Sequence, residues 1–169
     1  MMNIRFGTYT VIDGIEMRIN GMRTEVPIRP SDKMYLISYS ATLEKIDGFA
    51  LYQLPPPYTA EWRKEIRFSE LQNAFLIVTK AVFGGGVFTV EPFLNEDNIL
   101  HLATQDLILG KRHGFYEMHD GQGRSYYLGE VNCKELDKLW EEYSPSSLNL
   151  PMPEGLPKER VIEIPKRDL

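Results

Sequence analysis

The sequence predicts an α+β protein of two tandem pseudo-repeat units, each made of antiparallel hairpins with a short helical turn and a closing helix. Three observations carry that expectation. The first is self-similarity: Thr8–Ile19 aligns with Thr79–Val90 at an offset of 71, Met34–Gln53 with Leu100–His119 at 66, and Glu65–Phe75 with Glu130–Trp140 at 65. Identities number 11 in 43 aligned positions, so the weight rests on the matching order and on offsets that change only across 20–33 and 54–64, Pro/Gly-rich stretches where insertions belong in loops. The second is a series of short β-favouring runs separated by glycine-containing turns. The third is the spacing of Cys133, Leu136, Trp140 and Tyr143, which fits one face of a 3.6-residue helix.

The elements follow in order. Phe6–Ile12 and Ile15–Asn20 flank Asp13-Gly14, a dipeptide suited to a two-residue type I′ turn, and the partner hairpin turns through Gly84-Gly85-Gly86. A third strand is expected at Met34–Tyr39 and Ile99–Ala103, then a helical turn at Ala41–Ile46 and Asp106–Arg112, stopped by Gly48 and Gly114. Second hairpins run from Phe49 to Phe68 and from Phe115 to Val131. Each unit is then closed by a helix, short at Ser69–Phe75 and longer at Lys134–Tyr143. For the longer one Asn132 is the N-cap, Glu135 the capping-box partner and Ser144-Pro145 the stop. The organisation read from this is a first unit at 4–74, a second at 75–143 and a proline-rich tail at 144–169. That tail holds five prolines in 26 residues, and Val161–Ile164 within it is a candidate edge strand.

Composition narrows the function classes. A chain of 169 residues, 43% hydrophobic and 25% charged, is ordinary for a globular protein. A net charge of −5 argues against a nucleic-acid partner, whose phosphates demand a basic surface. Cys133 is the single cysteine, so neither an internal disulfide nor a cysteine-based zinc site is expected. The sequence has no apolar leader segment and no run of 18 apolar residues, so the expectation is a cytoplasmic protein with no membrane partner.

No motif supplies a cofactor, metal or catalytic residue. His101, His113 and His119 lack metal-ligand spacing. His119-Asp120 has the chemistry of a base and its orienter, but its place at a hairpin turn suits solvated side chains. Gly84-Gly85-Gly86 is followed by a strand and not by the Lys-Ser/Thr of a phosphate loop. Cys133 lies on an apolar face, as a packing residue does. Pro55-Pro56-Pro57-Tyr58 matches a polyproline-type ligand, or else a rigid loop that displays Tyr58 and Trp62. An enzyme with a dispersed site (His119, Asp120, His101, Glu117) and an adaptor using the proline-rich segments remain alternatives.

Charge is distributed unevenly. Residues 1–74 hold nine acids and nine bases and the tail four of each, whereas 75–143 hold eleven acids and six bases. Glu130, Glu135, Asp137, Glu141 and Glu142 lie on or beside the expected closing helix, preceded by Tyr126; such a surface steers a basic partner, with tyrosine as an anchor. The order of hairpin, Leu-Ile-Ser-Tyr or Leu-Ala-Thr-Gln strand, Gly48-Phe49 or Gly114-Phe115, then Glu-Ile/Val-x-x-x-Glu-Leu resembles bacterial immunity proteins of polymorphic toxin systems, of the Rhs and contact-dependent-inhibition type. The resemblance implies a non-catalytic protein that neutralises a cognate, basic toxin domain. The contact residues expected from charge and aromatic display are Glu135, Glu141, Glu142, Glu130, Asp137, Tyr126, Tyr58 and Trp62.

Overall fold

A computed structural model describes residues 4–21, 28–38, 48–52, 61–92 and 98–165. Among the described residues the chain is nearly all β, with twelve strands, one six-residue α-helix and two single turns of 3-10 helix. The α+β expectation with closing helices is therefore corrected. The expected helical turn at Ala41–Ile46 lies outside the described residues.

Residues divide into two compact units. One comprises 7–76 with 144–156, the other 1–6 with 77–143 and 157–169. In the first unit, β1 (Gly7–Ile12), β2 (Ile15–Asn20), β3 (Lys33–Ser38), β4 (Ala50–Tyr52) and β5 (Glu61–Arg67) form sheet in the order β4-β5-β3-β2-β1. Its core is Met17, Ile19, Met34, Leu36, Ile66, Leu71 and Ala74, joined by Leu148 from the proline-rich segment. That segment is tied in by the amide of Ala74, which donates to the carbonyl of Pro151 at 3.1 Å. Asn73 secures β1: its Oδ1 accepts from the Val11 amide at 2.8 Å and its Nδ2 donates to the Val11 carbonyl at 3.0 Å.

The other unit holds β6 (Phe75–Phe83), β7 (Gly86–Val90), β8 (Ile99–Thr104), α1 (Leu107–Arg112), β9 (Tyr116–His119), β10 (Ser125–Asn132), β11 (Lys138–Pro145) and β12 (Glu159–Val161). Its sheet runs β6-β7-β8-β10-β9, and β11 pairs with β6 and β12. Pairings repeat between the units at the residue level. The β1–β2 hairpin closes at Ile12↔Ile15 and the β6–β7 hairpin at Phe83↔Gly86, both 71 residues on. Met34↔Ile66 and Leu36↔Lys64 in the first unit correspond to Leu100↔Val131 and Leu102↔Gly129 in the other, at offsets of 66 and 65. Asp13 and Gly14 have φ of 51° and 77°, and Gly84 and Gly85 have 53° and 78°. Both hairpins thus turn with two left-handed residues, the requirement of a type I′ turn.

α1 begins where Asp106 accepts hydrogen bonds from the amides of Ile108 and Leu109, and it ends at Gly114 with φ of 69°. Gly110 lets the helix approach the sheet, because a Cβ there would overlap the Tyr127 ring. The core beneath is Phe88, Val90, Leu100, Leu102, Val131, Cys133, Leu136 and Leu139.

The expected helix over Lys134–Tyr143 is instead a 3-10 turn, Cys133–Glu135, followed by β11. Asn132 caps this one turn by accepting from the Lys134 amide at 3.0 Å. Leu139, Glu141 and Tyr143 then alternate inward at period two. The alternation was hidden because its middle member is an acid. Glu141 is only 5% exposed, and Arg5, distant in sequence, supplies the charge that permits it, with Nη2 2.7 Å from Oε2. The same correction applies to Ser69–Phe75, where the turn Phe68–Glu70 leads into β6.

Candidate functional site

In the unit of 77–143, one face of the sheet covers the core and the other is partly exposed among the described residues. Directly opposed residues of an antiparallel pair share a face. Tyr116↔Leu128, Leu128↔Ala103, Ala103↔Thr89 and Thr89↔Lys80 therefore form one row across five strands, opposite in facing to Phe88, Val90 and Leu102. Met118↔Tyr126 form part of the next row on that face. Tyr116 is 78% exposed, Val87 54% and Met118 38%, an unusual apolar content for a solvated sheet face. On the edge strand β9 all four residues are exposed.

On this face lies a cavity of about 480 Å³, lined by residues including Phe6, Lys80, Thr89, Glu91, Gln105 and Tyr126. Glu91 enters it at the end of β7, its amide donating to the His101 carbonyl at 2.9 Å. Burial pushes the Glu91 carboxyl above its ordinary range, and the nearby His101 partly opposes this. Lys80 is neutralised by Glu142, with Nζ 3.1 Å from Oε2; the Trp140 Nε1–H donates to Oε1 of the same carboxylate, also at 3.1 Å. Burial would raise the Glu142 carboxyl, but hydrogen bonds from Lys80 and Trp140 outweigh it and hold the group below its ordinary value.

The residues expected to meet a partner fall in different places. Tyr126 lines the cavity, and Glu130 is exposed on β10 opposite His101. Glu135 and Asp137 are exposed at and just after the 3-10 turn. Glu141 points inward and is engaged by Arg5 and by the Tyr143 hydroxyl, which donates to Oε2 at 2.5 Å. Burial and the Glu141 carboxylate together push the Tyr143 phenol up to about 12. Trp62 is half-buried on β5 and packs against the core of the first unit, whereas Tyr58 and Pro55–Pro57 lie outside the described residues.

The dispersed set of polar residues is not brought together. His101 pairs with Glu130 and His119 with Ser125, so five residues of β10, roughly 17 Å, separate the two imidazoles along the sheet. Asp120 is occupied by Arg124, whose Nε lies 2.7 Å from Oδ2, and by the amides of Gln122 and Arg124. These hydrogen bonds, that from the Arg124 amide foremost, lower its carboxyl. Cys133 is fully buried and its thiol is raised by burial. Among the described residues no group of three or more His, Cys, Asp or Glu is placed to hold a metal ion.

Glu91, Lys80 and Phe6 were not legible as site residues. The available signal was the run Val87-Phe-Thr-Val-Glu91, where Phe88 and Val90 take the core and Val87, Thr89 and Glu91 the opposite face. No family model, characterised protein or solved structure matches this chain.

Proposed function

We propose that the chain is a non-catalytic, cytoplasmic binding protein of the immunity type, neutralising a basic toxin domain through the open sheet face of residues 77–143. The supporting observation is the cluster of Tyr116, Met118 and Tyr126 on that face, flanked by the exposed acid Glu130. Aromatic and methionine side chains surrounded by polar groups are the usual anchors of a protein interface. Glu130, Glu135 and Asp137 contribute to the acid excess of this region and accelerate encounter with a basic surface.

The test is to co-express the protein with the toxin domain encoded beside its gene and to measure association kinetics at two salt concentrations. Tyr116→Ser combined with Tyr126→Ser should abolish protection and speed dissociation. Glu130→Lys combined with Glu135→Lys should slow association and flatten its salt dependence. Protection unchanged in both variants refutes this face as the interface, and failure of the wild type to bind the neighbouring gene product refutes the immunity reading.

A further inference from the structure

We infer that the cavity on this open face is a socket for one basic side chain of a protein partner, with Glu91 as its counter-charge and the Phe6 and Tyr126 rings as its walls. The inference rests on the partner-binding reading above and names the chemistry at its centre.

Two charged side chains line the cavity, and they differ in one respect. Lys80 already has its partner in Glu142. The Glu91 carboxylate is half-buried, and its charged neighbour is His101, which offsets the effect of burial only in part. A carboxylate partly removed from water, with burial outweighing its one charged neighbour, gains from a bound cation. Flanking aromatic rings suit a guanidinium or ammonium through their negative faces. Gln105 and Thr89 add polar atoms at the same wall, and a volume of about 480 Å³ admits an arginine side chain. Val87 lines the cavity, and Met118, paired with the lining residue Tyr126, and Tyr116 lie on the same sheet face; a protein would cover this exposed apolar surface and a free small cation would leave it wet. That favours a side chain delivered by a partner.

The experiment titrates the isotope-labelled full chain with N-acetyl-arginine amide and, separately, with its neutral citrulline analogue, following amide resonances by NMR. The arginine compound should shift Thr89, Gln105 and Tyr126 saturably, and the citrulline compound should not. Glu91→Gln should weaken binding about tenfold or more, the scale of a charge-assisted hydrogen bond, while Glu154→Gln, at an exposed acid outside this unit, leaves it unchanged. A Glu91→Gln spectrum otherwise superimposable on the wild type establishes that the fold is intact. Equal binding of both compounds, or binding insensitive to Glu91→Gln, overturns the socket. A toxin domain that binds wild type and Glu91→Gln equally well overturns the socket and leaves the interface reading standing. Arginine binding that depends on Glu91 in a chain with no protein partner overturns the partner as the source of the cation.

Discussion

Arg5→Leu is the sharpest probe of how β11 faces. Arg5 and Glu141 have side-chain exposures of 16% and 6%, and two hydrogen bonds of 2.8 and 2.7 Å join them. Removing the cation leaves a buried carboxylate uncompensated, which costs about 3–5 kcal/mol. At about 2–4 °C per kcal/mol for a chain of this size, the melting temperature should fall by roughly 6–20 °C. The neighbouring acid Glu142 pairs with Lys80 on the other face, at exposures of 38% and 33%, so Lys80→Ala should cost only about 0–1 kcal/mol. Arg5→Leu combined with Glu141→Leu should recover most of the loss, since a buried pair replaced by apolar groups is close to neutral. The assay is urea and thermal unfolding followed by the fluorescence of Trp62 and Trp140 and by far-ultraviolet circular dichroism. Equal, small losses for Arg5→Leu and Lys80→Ala would place both acids at the surface and refute the inward facing of Glu141.

Stability should also follow pH at the same pair. Glu141 is held below its ordinary 4.5 because hydrogen bonds from Arg5 and Tyr143 overcome the cost of burial, so its contribution is present above that value and is lost as pH falls. Tyr143 is raised from 10.0 to about 12, so its contribution is intact below 10 and is lost as pH climbs through that window; urea midpoints across pH check both limbs. Gly110→Ala should destabilise by about 1–3 kcal/mol, because the new methyl meets the Tyr127 ring at the helix–sheet contact, while Gly121→Ala, with open space around it, should change little in the same melts. Cys133 should resist a thiol reagent in the native protein and react fully in denaturant; rapid native labelling would remove it from the core.

Local chemistry made much of the architecture readable. Asp13-Gly14 and Gly84-Gly85 need no tertiary context to form their turns, and the Asp106 cap and Gly114 define α1 unaided. The region 133–145 reads as a helix because Cys133, Leu136, Trp140 and Tyr143 satisfy a helical period by coincidence. Cys133 begins a 3-10 turn and Leu136 caps its end, Tyr143 belongs to the inward row of a strand, and Trp140 to its other face. A short window cannot separate the two periods when a charged residue holds an inward position, and Glu141 holds it through an ion pair with Arg5, which no local pattern reveals. Of the residues singled out by aromatic display and charge, Tyr126 lines the cavity and Glu130 is exposed on β10. Glu91 and Lys80 acquire their surroundings from strand pairing, Glu91 beside the β8 residue His101 and Lys80 beside the β11 residue Glu142, and so emerge only in three dimensions.

Hydrogen–deuterium exchange of the chain alone and with the toxin domain proposed as its partner tests the proposed binding face most directly. Protection on binding should concentrate in 87–91, 99–105 and 116–130, the strands that carry the open face, while 7–20 and 33–38 exchange as before. Protection confined to 48–52 and 61–67, with 87–130 unchanged, would move the interface to the other unit and contradict the account.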